Sequence, residues 1–277
     1  MKKLIAMLLV LTMALVFVAC AGGDDNSSAA DSSAADSSAV ESSDASSEAS
    51  SEASDDSSEA SDDSSADVEV VPEGVMTFEE YLAAEVGTEV TVETYVQANQ
   101  SWWNDSIVLY CQSPYGATFI YNLACTEEQA ATLVAGTKIR VTGSKAEFDG
   151  EVEIMDATFE LVEGADTYVA EPIDLTDKLG TEELINDMNK LASFKGLTFK
   201  SLEYKNGEPG DDIYVTFTKG DAEYNFCVEV YLTGTDSDVY KTVGELKEGD
   251  VVDVEGFLYW YQGANPHITK ITVADAE

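Results

Sequence analysis

The sequence predicts a mainly β fold with short helices, in which one structural unit occurs twice. Two stretches, residues 136–150 and 249–268, each begin at a turn glycine and continue as a strand in which apolar and polar residues alternate. Three pairs of glycines in these stretches lie 113 residues apart: Gly136 and Gly249, Gly143 and Gly256, and Gly150 and Gly263. Matched spacing of this kind indicates an internal repeat.

The first 70 residues differ in composition from the rest of the 277-residue chain. Residues 21–70 are almost wholly Ser, Ala, Asp and Glu, without an aromatic residue, which predicts a disordered acidic tether. Residues 1–20 carry two lysines and then an apolar run, as a secretory signal peptide does.

The end of that run, Phe17-Val18-Ala19-Cys20, resembles the lipobox of bacterial lipoproteins, although Phe17 stands where that family favours Leu. The resemblance implies that Cys20 becomes the lipidated N-terminus, which places the protein outside the cytoplasm and anchors it to the bacterial cell membrane. The alternative is ordinary cleavage after Ala19-Cys20-Ala21, which would release the protein.

The folded region is strongly acidic in its own right. Of the 54 acidic residues, 15 lie in residues 21–70, and the other 39 share residues 71–277 with only 12 Lys and Arg, a net charge of −27. Because such a surface repels polyanions, we expect nucleic acid to be an unlikely partner.

Residues 71–165 are predicted to form a first domain. Capping-box patterns at Thr77–Glu80 and Thr126–Gln129 predict two short helices. Alternating apolar residues predict five strands, at 90–96, 107–112, 117–123, 137–142 and 151–161.

Residues 166–277 are predicted to form a second domain. Thr181 is expected to cap a helix whose apolar face is formed by Leu184, Ile185, Met188 and Leu191, and a weak helix is expected at 239–246. Gly220-Asp221 predicts a hairpin turn. The predicted strands are 197–204, 213–219, 222–232, 250–261 and 268–273.

In each domain the order is three strands, a helix and two strands, which resembles the OB-fold, a small five-stranded barrel. The resemblance implies two OB-fold-like barrels after the tether, of a variant seen in secreted bacterial proteins that are often lipoproteins. OB-folds bind ligands at the outer face of their second and third strands and at the loops beside it.

Cysteine and histidine offer little catalytic chemistry. If Pro114-Tyr115 is a hairpin turn, Cys111 lies opposite Thr118, and Cys125 is then roughly 20 Å away, too far for a disulfide. We therefore expect Cys111, Cys125 and Cys227 to be free and mostly buried. The single histidine, His267, is expected to be structural, and neither a metal site nor a cofactor is predicted.

The aromatic residues are the candidate ligand-binding residues. Two readings stay open, because loop aromatics either form a binding platform or fold back to plug a barrel end. Adjacent residues on an extended chain point in opposite directions, so Trp102 and Trp103 are able to do both. The candidates are Trp102, Trp103, Tyr110, Tyr115, Tyr121, Tyr259, Trp260 and Tyr261.

Together these patterns predict a lipid-anchored, non-enzymatic binding or adaptor protein whose ligand is a glycan, a peptide or an envelope protein. The alternatives are a single-stranded nucleic-acid-binding OB protein, a carboxylate-based hydrolase, and a pure scaffold. A deep pocket with two facing acids would favour the hydrolase.

Overall fold

The computed structural model describes residues 68–274, which lie within one compact unit. The signal peptide, Cys20 and tether residues 21–67 lie outside the described residues and stay predictions. None of the helices in residues 68–274 is long and apolar enough to cross a membrane.

The first five strands form a closed barrel, as predicted, in the order β1-β2-β3-β5-β4. The pairing of β3 with β5 is parallel and the other four pairings are antiparallel. The strands are β1 (Glu89–Asn99), β2 (Ser106–Gln112), β3 (Ala117–Ala124), β4 (Lys138–Phe148) and β5 (Glu151–Leu161).

Two short helices accompany this barrel, α1 (Phe78–Ala83) and α2 (Glu127–Ala130), and both predicted capping boxes are present. Buried Tyr81 joins α1 to the barrel core. The Lys145 ammonium donates to the carbonyls of Tyr81, Leu82 and Ala84 at 2.8–2.9 Å. These three bonds cap the carbonyl end of α1 and tie it to β4.

The second sheet repeats the first arrangement. Its order is β10-β11-β9-β8-β7-β6, and a further pairing of β10 with β7 joins five of these strands into a ring. The parallel pairing between β9 and β11 consists of one residue pair, His267 with Cys227. The strands are β6 (Ile173–Asp174), β7 (Leu191–Tyr204), β8 (Ile213–Lys219), β9 (Ala222–Val228), β10 (Val251–Phe257) and β11 (His267–Val273). Helices α3 (Val230–Thr233) and α4 (Asp238–Glu245) lie between β9 and β10.

The repeated glycines occupy matching places in the two barrels. Gly143 and Gly256 both lie where the strand register shifts, in β4 and in β10. A Cβ atom would lie 2.7 Å from the Met155 carbonyl oxygen at Gly143, and 2.1 Å from the His267 carbonyl oxygen at Gly256. Only glycine permits so close an approach of two backbones, which is why the spacing is repeated.

The two barrels pack against each other through the outer face of β2 and β3. Buried Val108, Tyr110 and Phe119 on this face meet Phe257 of β10, and the rings of Tyr110 and Phe257 stack at 4.7 Å. The second barrel therefore covers the strand face that OB-folds commonly use for ligands.

Three predicted element boundaries in the second half were wrong. The helix expected from Thr181 is a 3₁₀ helix, Glu182–Asp187, without a side-chain cap, and Leu191 is the first residue of β7. Pairing of Leu191 with Phe257 in β10 outweighs the helical spacing. Strands β9 and β10 also end earlier than predicted, so Tyr259 and Trp260 lie in the loop after β10.

The cysteine prediction is confirmed for Cys111, Cys125 and Cys227, which are free and buried. Cys111 pairs with Thr118 across β2 and β3, the register from which the disulfide was excluded.

Candidate functional site: an aromatic groove

Two adjoining cavities, of about 730 and about 340 Å³, lie beside the junction of the barrels. They share the lining residues Gln100 and Tyr121, and we call the two cavities together the aromatic groove. None of the residues that line it is Lys or Arg. The aromatic residues that line it are Trp103, Phe119, Tyr121, Phe148, Tyr214, Phe226, Tyr231, Tyr259 and Tyr261.

The two neighbouring tryptophans point in opposite directions. Trp102 packs against the core of the first barrel, and its indole N–H donates to the Cys125 carbonyl at 3.0 Å. Trp103 is 78% exposed and lines the groove. Asn104 and Asp105, both at positive φ, form the tight turn that fixes this arrangement. Trp102 therefore packs into the first barrel, whereas the Trp103 ring faces the groove.

The loop between β10 and β11 forms the opposite wall and is held by the first barrel. The Trp260 N–H donates to Glu151 Oε2 at 2.8 Å, and the Gln262 N–H donates to the Asp149 carbonyl at 2.7 Å. The rings of this loop are thus held in place before any ligand arrives, which lowers the entropic cost of binding.

His267 supports the floor of the groove. Its ring stacks on Tyr259 at 4.3 Å, and its Nδ1 shares a 2.6 Å hydrogen bond with the Tyr110 hydroxyl. Burial lowers the pKa of His267 to about 4, so the imidazole is neutral at pH 7. His267 is therefore a positioning residue for Tyr259, in agreement with its expected structural role.

Two carboxyl groups, those of Asp212 and Glu229, lie at one end of the groove. Asp212 is buried and accepts from the Lys205 ammonium at 2.8 Å and from the Val230 N–H at 2.9 Å. Burial, followed by the charge of Asp212, raises the pKa of Glu229 to about 7. No Lys or Arg lines this part of the groove itself, where a ligand would meet the Asp212 carboxylate, paired with Lys205, and the Glu229 carboxyl group.

Most of the basic residues of the folded region are engaged in ion pairs. Eight of the 12 Lys and Arg in residues 71–277 form ion pairs. Lys138 and Arg140, which the sequence places on one side of β4, both pair with Glu93 at 2.7 Å. In the described residues, no group of three or more His, Cys, Asp or Glu side chains could hold a metal ion.

The predicted ligand-binding residues separate into two groups. Trp103, Tyr121, Tyr259 and Tyr261 line the aromatic groove. Four others do not line it: Trp102 packs in the first barrel, Tyr110 is buried between the barrels, Tyr115 lies in the exposed turn after β2, and Trp260 lines a different cavity.

Sequence reasoning missed Tyr214 and Tyr231. The alternation of β8, in which Ile213, Val215 and Phe217 are buried, was a signal that Tyr214 points outward. Tyr231 had no such signal, because it lies in α3, which was predicted as the end of a strand.

No family model and no curated protein matches the chain. Solved structures do resemble it. A murine DNA-binding protein bound to double-stranded DNA aligns with 68% of this chain and 96% of its own, at 10% identity and a TM-score of 0.33. The p202 HIN1 domain in complex with a 12-mer double-stranded DNA aligns over 68% and 94%, at 9% identity and a TM-score of 0.33. A replication protein A heterotrimer bound to single-stranded DNA aligns over 68% and 49%, at 10% identity and a TM-score of 0.29.

These comparisons correct two expectations. The expectation of an adaptor for a glycan, a peptide or an envelope protein is withdrawn, and so is the expectation that nucleic acid is an unlikely partner, because these similar structures are described as complexes with DNA. Lipid anchoring through Cys20 stays a prediction. With TM-scores of 0.29 to 0.33, the ligand of this chain has to be argued from its own groove.

Proposed function

We propose that the aromatic groove binds an unpaired stretch of nucleic acid by its bases, without catalysis. The observation that carries this proposal is the row of partly exposed rings that begins on the open outer face of β8 and β9 and continues to Tyr121 and Trp103. In an OB-fold-like barrel, this is the strand face at which ligands bind.

Stacking provides the main attraction. Each base stacked on an aromatic side chain contributes about 1–3 kcal/mol, and every base offers a flat face. The exposed rings of Trp103, Tyr121 and Tyr261 supply such surfaces, and the amides of Gln100, Asn225 and Gln262 lie among them to meet base edges.

Charge determines how the strand has to lie. The groove is lined by Asp212 and Glu229 and by no Lys or Arg, so the bases face the groove and the phosphates face solvent. Few phosphates are neutralised, and the usual steep loss of affinity with salt is therefore not expected. Screening of the net charge of −27 should instead strengthen binding as salt rises.

The test is fluorescence anisotropy of a labelled single strand of about ten nucleotides, titrated with the purified chain at low and at moderate salt. We expect saturable binding that stays constant or tightens with salt. Absence of binding would overturn the proposal, and steep weakening with salt would show that phosphates, not bases, are the groups bound.

Variants locate the contact. Trp103→Ala and Tyr121→Ala should each weaken binding about tenfold, because each removes one stacking surface. Tyr115→Ala is the matched control, since Tyr115 is 42% exposed against 39% for Tyr121 and lies outside the groove. Equal losses in Tyr115→Ala and Tyr121→Ala would exclude the groove as the binding site.

A further inference from the structure

We infer that the larger cavity of the aromatic groove is a binding site for a small organic cation with a methylated ammonium group. This cavity measures about 730 Å³, within the range of about 300–1,000 Å³ that is typical of small-molecule sites. Residues of β8, β9 and the loop after β10 form much of its wall. The inference does not depend on nucleic-acid binding, because such a cation offers neither bases nor phosphates.

Aromatic rings reach this cavity from both barrels. Tyr121 of β3 and Phe148 of β4 belong to the first barrel, whereas Tyr214 of β8 and Tyr261 of the loop after β10 belong to the second. These four rings are 39% to 53% exposed, so each has free surface to offer a ligand. The face of an aromatic ring attracts a cation that lies within about 6 Å of its centre. A cation in this cavity would therefore meet rings from more than one side.

Tyr259 is a fixed part of the same wall. Its ring stacks on His267 at 4.3 Å and meets Phe119 edge-on at 5.2 Å. Burial lowers the pKa of His267 to about 4, so the imidazole is neutral at pH 7 and does not repel a cation. A ring that is already held in place lowers the entropic cost of binding.

The charges at the cavity also favour a cation. Its lining residues include the carboxyl groups of Asp212 and Glu229 and no Lys or Arg. Asp212 is paired with Lys205, so Glu229, which accepts from the Leu232 N–H at 2.8 Å, is the acid left for a ligand. In addition, the net charge of −27 in residues 71–277 raises the concentration of cations near the surface.

The mainly aromatic wall selects a methylated head group. A primary ammonium group is strongly hydrated and carries three N–H donors, each of which needs an acceptor once water is removed. A trimethylammonium group has no N–H donor, and its methyl groups pack against ring faces while the charge is attracted to them. It therefore enters such a cavity at a lower cost of desolvation.

The test compares three probes by calorimetry on the purified chain, at pH 8 and about 0.15 M salt, which screens the general field of the acidic surface. Choline carries a trimethylammonium group. The alcohol 3,3-dimethyl-1-butanol is its neutral counterpart, with carbon in place of nitrogen, and ethanolamine keeps the positive charge without the methyl groups. We expect choline to bind about tenfold more tightly than either of the other two.

Two variants locate the bound cation. Tyr214→Leu removes a ring face, and Glu229→Gln removes the charge while its amide oxygen still accepts from the Leu232 N–H. Each should weaken choline binding about fivefold and bring it closer to that of the neutral alcohol. Tyr115→Leu is the matched control and should bind choline as the wild type does, since Tyr115 is 42% exposed against 44% for Tyr214 and lies outside the groove.

The binding of choline should also depend on pH. Burial, followed by the charge of Asp212, raises the pKa of Glu229 to about 7. The other titratable groups that face it are Asp212, Lys205, Tyr110 and Cys227. The first two form an ion pair, and burial raises the pKa values of the Tyr110 hydroxyl and the Cys227 thiol, so both stay neutral between pH 6 and 8.

Below pH 7 the Glu229 carboxyl holds a proton that a bound cation has to displace. We therefore expect choline to bind about three- to tenfold more tightly at pH 8 than at pH 6, and Glu229→Gln to bind it equally at both.

Four results would overturn the inference. They are no binding of choline, equal binding of choline and 3,3-dimethyl-1-butanol, equal binding of choline and ethanolamine, and unchanged choline binding in both Tyr214→Leu and Glu229→Gln. Equal affinities for choline and ethanolamine would show attraction to the acidic surface only. Because no nucleic acid enters this test, the cation site and the proposed nucleic-acid binding can each fail without the other.

Discussion

The outer face of the second and third strands has opposite fates in the two barrels. In the first barrel this face carries Val108, Tyr110 and Phe119, and the second barrel covers it. In the second barrel the same face carries Tyr214 and Asn225, which stay exposed beside the groove. The strand order is the same, so the character of the outward residues decides whether this face packs against the other barrel or stays exposed.

The largest expected effect is the pH dependence of stability that arises from Glu151, whose carboxyl group accepts from the Trp260 N–H in the loop after β10. Burial raises the pKa of Glu151 to about 8. The nearby Glu153 charge acts in the same direction, and hydrogen bonds with Asn189 and the Trp260 N–H act against it. In the unfolded chain the carboxyl ionises near pH 4.5, so the folded chain holds one more proton between these values. The stabilisation that comes from this proton is fully present below pH 4.5. It is lost as the pH rises towards 8, and the free energy of unfolding falls by about 1.4 kcal/mol per pH unit in this range.

Glu151→Gln should remove this part of the pH dependence and stabilise the protein at pH 8, because the amide oxygen still accepts from the Trp260 N–H. The measurement is urea unfolding at a series of pH values. Glu147→Gln, at an exposed position in β4, is the matched control and should follow the wild type. A Glu151→Gln curve parallel to the wild-type curve would show that Glu151 is ionised in the folded protein.

The covered and open faces should respond differently to the same truncation. Tyr110→Ala removes a ring that is 1% exposed and stacked on Phe257, and we expect a loss of about 4 kcal/mol. Tyr214→Ala, where the ring is 44% exposed, should cost less than about 1 kcal/mol. Denaturant unfolding of both variants measures the difference. Similar losses of stability would mean that both faces contribute equally to the stability of the fold.

The shared glycines test what the two barrels have in common. Gly143→Ala and Gly256→Ala should each destabilise the protein by about 2 kcal/mol or more, because the new Cβ meets backbone atoms. Gly244→Ala in α4 is the control, since the nearest atom to its Cβ is the end of the Tyr204 side chain and alanine favours helix. Thermal unfolding measures these changes. If Gly143→Ala left stability unchanged and Gly256→Ala lowered it, the two glycines would not have the same structural role.

The smallest expected effect on stability is that of Trp103→Ala, within about 0.5 kcal/mol, because the ring is 78% exposed. Trp102→Ala should cost several times more, since that ring packs in the first core and donates to Cys125. Chemical unfolding of the two variants side by side checks this. A larger loss of stability in Trp103→Ala than in Trp102→Ala would mean that Trp103, not Trp102, packs in the core of the first barrel.

The sequence predicted most of the fold because its signals were local. Alternation in β1 and β8 and the capping boxes at Thr77 and Thr126 depend only on neighbouring residues. Leu191 was misplaced because its pairing with Phe257 joins residues far apart in the chain. Helical spacing alone cannot report such a contact.

The site was harder to predict for a related reason. Alternation tells which side chains point out of a barrel, but not whether the outside is solvent or a second barrel. Tyr110 and Tyr214 both point outward from their strands, and only the packing of the two barrels separates a buried ring from an exposed one.

The single residue pair that joins β9 to β11 has a dynamic consequence. Apart from Cys227 and His267, and a bond from the Cys227 N–H to the Pro266 carbonyl at 2.9 Å, the two strands share no ladder pairing, so this seam is where the second barrel should open first. The aromatic groove spans the seam, with Cys227 and His267 both in its wall. A ligand lying across it would hold the two edges together, and the Cys227 amide would then exchange with deuterium more slowly than in the free protein.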